Sequence, residues 1–129
     1  MYKRQPLGPQ AFFEKRQPII NQEVNTHAEK FQEDNYEVTL TITLTAKLEE
    51  QTVFVVEIDQ AGLFFIKGLT DDQLPQLLHV GCPSILLPYA REAIDSALVR
   101  GTLSPLMLSP INFDALYAQA IEQRQQEQQ

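Results

Sequence analysis

The sequence predicts an α+β fold: an antiparallel sheet in meander order, covered by helices on one face. Three observations predict it. From Tyr36 to Leu48 apolar and polar residues alternate without a break. Two further apolar runs follow, each set off by turn residues. Beyond Thr70 the apolar spacing changes from every second residue to every third or fourth, which is the period of a helix.

The alternating stretch reads Tyr36, Val38, Leu40, Ile42, Leu44, Ala46 and Leu48 on one side. Glu37, Thr39, Thr41, Thr43, Thr45 and Lys47 lie on the other. A slip of one residue would bury the threonines, so the strand's register is strongly specified. A strand with one dry face belongs to an antiparallel sheet packed on one side. Upstream, Pro6, Gly8 and Pro9 make residues 1–11 irregular. Phe12 and Phe13 follow, as a loop pinned to its own core or as an apolar lip for a partner. Ile20 to Ala28 reads as a weak strand with Val24 inward.

Glu33-Asp34-Asn35 and Glu49-Glu50-Gln51 are turn signals on either side of the central strand. Thr52 to Gln60 is the next strand, with Phe54, Val56 and Ile58 inward and Val53, Val55, Glu57 and Asp59 outward. Ala61-Gly62 interrupts the pattern as a bulge or tight turn would. Leu63 to Ile66 then forms a further strand, closed by Gly68. Thr70 and Gln73 fit a capping box, and Leu74, Leu77 and Leu78 follow at helical spacing. Pro75 and Gly81 keep that helix short. Pro83 to Arg100 is the main helix, with Pro88 near its first turn and Gly101 as its stop.

One stripe of the main helix carries Leu87, Ala90, Ile94, Ala97 and Leu98. Ile85, Leu86, Tyr89, Ala93 and Val99 lie off that stripe. A helix apolar over more than half its girth needs cover on two sides. One sheet covers one side, so a two-fold related copy is expected on the other. Thr102 to Ile111 is an apolar connection with Leu103, Leu106, Met107 and Leu108, either packed in its own core or lining a groove. Asn112 caps a last helix with Phe113, Leu116, Tyr117, Ala120 and Ile121 on one face.

The 129 residues suit one domain, here residues 1–121, followed by a Gln/Glu-rich tail at 122–129 that composition predicts to be disordered. Net charge is −7. Residues 1–16 carry four Lys/Arg against Glu14, and the remainder six against sixteen acids. So acidic a body argues against nucleic acid and suits a basic partner. The single cysteine, Cys82, allows no intrachain disulfide, and no apolar run approaches 18 residues. A soluble, cytoplasmic protein without direct membrane insertion is expected. No catalytic or metal constellation is visible. His79 and Cys82 alone do not make a zinc site, and Asp71 and Asp72 suit the start of a helix.

The run C-P-S-I-L-L-P-Y-A-R-E at 82–92, R-G-T at 100–102 and S-P-I-N-F-D-A-L-Y at 109–117 resemble the SecB family of bacterial protein-export chaperones. Q-A-G-L-F-F-I-K-G at 60–68, E-V-T-L at 37–40 and Gln17-Pro18 extend the resemblance in the same order, over roughly residues 9–121. It implies a four-stranded antiparallel sheet, in Greek-key or meander order, with two helices on one face. The assembly would be a homotetramer, a dimer of dimers with the long helices between two sheets. The implied work is ATP-independent binding of unfolded preproteins and delivery to the SecA export ATPase. No enzyme activity, cofactor or metal is implied.

Residue by residue, the resemblance carries a client groove onto Phe12, Ile20, Val24, Leu77, Leu103 and Leu106. It carries SecA docking, through the ATPase's basic zinc-bearing C-terminal tail, onto Val55 and Glu57. Subunit assembly falls on Val56, Ile58 and Gln60, with Leu87, Ile94 and Leu98 of the main helix. The chain departs from the family at its start, where most of an acidic first strand is missing or replaced. Arg4 stands where the family has an acid, and Arg16 where many relatives have an aromatic residue. The first strand is therefore left open to truncation. Two other roles would suit the fold: a chaperone dedicated to one client such as an antitoxin, and a small enzyme or ligand-binding domain using Glu57 and Asp59.

Overall fold

The computed structural model describes residues 18–100 and 108–127. Three long strands come first: β1 (Ile19–Gln32), β2 (Asn35–Leu48) and β3 (Gln51–Phe65). They form one antiparallel sheet in the order β1-β2-β3, so the alternating stretch is the central strand. Its even-numbered residues from Tyr36 to Leu48 are all buried, and Val38, Leu40, Ile42 and Ala46 are wholly so. The threonines face the other way, onto the open side of the sheet.

The strand count differs from the expected four: the described residues hold three. Leu63 to Phe65 is not a separate strand, because β3 runs unbroken through Ala61 and Gly62. Gly62 pairs with Val38 and lies directly beneath a helix. A Cβ there would sit 2.9 Å from Leu86 Cδ2, so the glycine serves close approach rather than a turn. The irregularity in β3 lies instead at Val53, the extra residue opposite Ala46 and Lys47. Val53 is thereby half-buried, and Val55 alone of the two valines is outward and exposed.

β1 is longer than its sequence suggests. It is polar on both faces, and its order comes from pairing with β2 from Ile19↔Lys47 to Gln32↔Asn35. Both connections are two-residue turns, Glu33-Asp34 and Glu49-Glu50. Asp34, Glu49 and Glu50 have φ of 59°, 52° and 72°, left-handed values that cost a side-chain-bearing residue about 1–2 kcal/mol.

After β3 the chain turns helical and stays so from Gln73 to Arg100. This rod comprises α1 (Gln73–Gln76), a π-helical turn (Leu77–Gly81) and α2 (Cys82–Arg100). The capping box forms: Gln73 N–H donates to Thr70 Oγ1 (3.3 Å) and Thr70 N–H to Gln73 Oε1 (3.2 Å). Pro75 and Gly81 do not end this helix. Pro75 stands in the first turn, where its missing N–H has no partner to lose. Gly81 lies inside the π turn, where a Cβ would fall 2.6 Å from Leu77 Cδ1. Pro88 consequently lies well inside the rod rather than near its start.

The helix buries every fourth residue against the sheet: Cys82, Leu86, Ala90, Ile94 and Leu98. Leu86 takes a place expected for Ala97, which is exposed. Ile85, Tyr89 and Val99 also remain exposed, so one side of the apolar helix is uncovered in the single chain. The last helix, α3 (Phe113–Glu127), begins where expected, with Ala115 N–H donating to Asn112 Oδ1 at 3.0 Å. It is helical through Glu127, across most of the tail that composition predicts to be disordered. Gln, Glu and Arg are good helix formers and extend a helix once its first turns are set.

Candidate functional site

The inward row of β1 reads Gln22, Val24, Thr26 and Ala28, each half-buried. Of these, the apolar Val24 and Ala28 pack on the core. Val24 and Thr26 face a cleft of about 270 Å³, with His79 of the π turn and Phe113 and Tyr117 of α3 on its other sides. Polar side chains stand among them: Asn25, Gln119 and Gln123. A second cleft, of about 390 Å³, is lined by Leu69, Gln73 and Gln76 and by Leu77, Val80 and Gly81 of the π turn. Leu77 and His79, two residues apart on the helix, line different clefts.

His79 ties three elements together. Its Nδ1 lies 3.3 Å from Thr26 Oγ1 of β1, and its ring stacks on Tyr117 of α3 at 5.6 Å with 10° between planes. Burial holds its pKa below the usual 6.5, with the charges of Arg124 and His27 acting in the same direction. The neutral ring therefore suits the site. Cys82, at the start of α2, is buried, and burial pushes its thiol pKa up. It is a packing residue.

The open face of the sheet has a different character. Glu23, Glu29, Glu37, Glu57 and Asp59 point outward there, with Lys47 the lysine of that face. Thr41 Oγ1 donates to Asp59 Oδ1 (2.6 Å) and Thr43 Oγ1 to Glu57 Oε2 (3.3 Å), each across a strand pair. Glu57 and Asp59 are exposed and line neither cleft at the π turn. Leu63 and Phe65 extend the face as exposed apolar residues. Among the described residues no group of three or more His, Cys, Asp or Glu is placed to hold a metal ion. No helix among them is long and apolar enough to cross a membrane.

The expected groove residues are thus only partly brought together. Val24 and Leu77 line neighbouring clefts, and Ile20 is part-exposed near the start of β1. Phe12, Leu103 and Leu106 lie outside the described residues. Val55 and Glu57 are on the acidic face as expected. The expected assembly residues fall within the single chain as follows. Ile94 and Leu98 are buried in the core of their own chain, and Val56, Ile58 and Leu87 pack against that core. Gln60 is half-buried opposite Leu40. The uncovered row of α2 is instead Ile85, Tyr89 and Val99. Sequence reasoning missed Thr26 and dismissed His79; a parity row shared with Val24 was the available signal for the first.

Residues 4–124 match the family described as preprotein translocase subunit SecB. A protein-export protein SecB of Cellvibrio japonicus is 52% identical over 122 residues, covering 95% of this chain and 73% of the relative. One from Hahella chejuensis is 47% identical over 123 residues, covering 95% and 77%. Among solved structures, a Mycobacterium tuberculosis SecB-like chaperone in complex with a ChAD peptide from an antitoxin superposes with a TM-score of 0.65. It covers 77% of this chain and 76% of that one at 19% identity, a likeness of fold.

Proposed function

The chain belongs to the SecB family, and from that premise we propose that it binds unfolded preproteins without ATP and delivers them to the SecA ATPase for export. The observation that carries this reading is the pair of clefts meeting at the π turn, with Val24 on one side and Leu77 on the other. Both mix apolar walls with polar rims, which suits extended segments of varied sequence. Phe12, Ile20, Leu103 and Leu106 would complete the groove. Many weak contacts in series would supply affinity through avidity. On this reading the role would be non-catalytic and cytoplasmic.

SecA would dock on the acidic open face at Val55 and Glu57, drawn there by its basic tail. Val55 is 57% exposed and shares its strand face with Glu57 and Asp59, an arrangement that supports such a contact. A homotetramer, a dimer of dimers, would cover Ile85, Tyr89 and Val99 of α2 and add contacts along β3 at Val56, Ile58 and Gln60.

Light scattering of the chain, alone and with an unfolded precursor, tests the reading. A mass of about four chains that rises by one client is expected. A stable monomer that ignores the client would sink it. Glu57→Lys is expected to weaken binding of a basic SecA tail peptide about tenfold and to leave precursor binding unchanged. An unchanged peptide affinity would remove Glu57 from the docking face.

A further inference from the structure

The last described residues before α3 show how this protein holds an extended segment. Leu108 and Ile111 pack against the core, and between them Ser109 and Pro110 are exposed. The backbone of Ser109 is held by one side chain. Ser109 N–H donates to Gln22 Oε1 (3.1 Å), and Gln22 Nε2 donates to Ser109 C=O (3.4 Å). Gln22 stands two residues before Val24 on the same inward row of β1, and Val24 lines the cleft.

The arrangement has the chemistry of general peptide capture. Apolar side chains enter the core on either side of a backbone N–H and C=O that a side-chain amide reads. The amide recognises no side chain, so it imposes no sequence preference. Both bonds are solvent-exposed, one is long, and such bonds are individually weak, so they exchange readily. We propose that Gln22 is a backbone-reading residue of the groove: it holds Ser109 in the free chain and passes the same pair of bonds to the backbone of an extended client. The inference rests on the client-binding reading and assigns it a residue that the family comparison does not.

Two variants separate exchange from simple support. Gln22→Met keeps the length of the side chain and removes both bonds. Ser109→Pro removes the competing N–H and leaves Gln22 intact. The probe is reduced, carboxymethylated α-lactalbumin, a permanently unfolded chain, with binding followed by fluorescence anisotropy. Made on top of Ser109→Pro, where the N–H no longer competes, Gln22→Met is expected to weaken binding about threefold, the worth of one exposed hydrogen bond. Ser109→Pro is expected to strengthen it about twofold to threefold by freeing the amide oxygen. Opposite signs are the signature of competition. Equal weakening by both, with unchanged circular dichroism, would make Gln22 a brace for the segment and overturn the proposal; so would no change in either. If the wild-type chain fails to bind the probe, the client-binding reading falls and takes this inference with it.

Discussion

The sheet with α2 and the corner where α3 docks are built on opposite plans. In the first, every inward residue of β2 from Tyr36 to Leu48 is buried, and α2 returns Leu86, Ala90, Ile94 and Leu98 onto it. In the second, α3 buries Phe113 alone and leans on the rest of the chain through a ring stack. Dense apolar packing gives the first region its stability. A helix with one buried residue sits near the low end of local stability, where elements that must move for binding are found. One half of the chain closes on itself, and the other stays available.

That contrast breaks first in the core. Ile42→Ala is expected to cost about 2–5 kcal/mol, read from urea unfolding, because the site is fully enclosed and cannot collapse around the loss. Phe113→Ala should cost less than the about 3–5 kcal/mol of an enclosed phenylalanine, because α3 can lift away instead of leaving a void. Hydrogen exchange would show the difference. It should rise across 113–127 in Phe113→Ala while β2 stays protected, and an equal rise in β2 would erase the distinction between the regions.

A smaller effect lies in the turn between β2 and β3. Glu49 and Glu50 both hold left-handed φ, as a type I′ hairpin turn requires and as Asn-Gly adopts at lower cost. Replacing the pair by Asn-Gly is expected to raise stability by about 1 kcal/mol in the same unfolding experiment, and a loss would mean that the glutamates contribute contacts worth more than the strain.

The smallest effect is a pH dependence confined to the α3 corner. The pKa of His79 is lowered in the folded chain, so the neutral ring is the stabilising form. Its contribution is complete above the ordinary value of 6.5 and is lost as pH falls from there through the lowered folded value. Thr26 of β1 and Tyr117 of α3 touch the ring, the charges of Arg124 and His27 act on it from further away, and none of the four is an anion that could hold a protonated imidazole. Exchange in α3 should therefore quicken below that window, and His79→Gln should flatten the response. An unaltered profile in the variant would assign the effect elsewhere.

What could be read from the residues follows the same division. Strict alternation in β2, the Thr70–Gln73 box and the Asn112 cap are local signals, and each takes the form that its spacing predicts. Gly62 was legible as an interruption but not as a place for Leu86, because close approach depends on what lies above. β1 is polar on both faces, so its full length exists only through pairing with β2. The π turn leaves no mark in apolar spacing, and the clefts that Leu77 and His79 line depend on what packs beside it. Val24 and Leu77 could be named from resemblance. Thr26, His79 and Tyr117 meet only in three dimensions, across sequence separations that no period records.

The two tight turns also set an order of assembly in time. The strand pairings span short loops; the widest joins Asn35 to Phe65, residues 30 apart. The Gln22–Ser109 clasp closes over 87 residues. Closing a longer loop costs more entropy, and chains rich in near neighbours fold faster. The hairpins are therefore expected to zip first, and the segment leading into α3 to settle last, on a surface already made. A protein that meets unfolded chains would in this way stop being one early, and would complete its capture site only after its own sheet is paired.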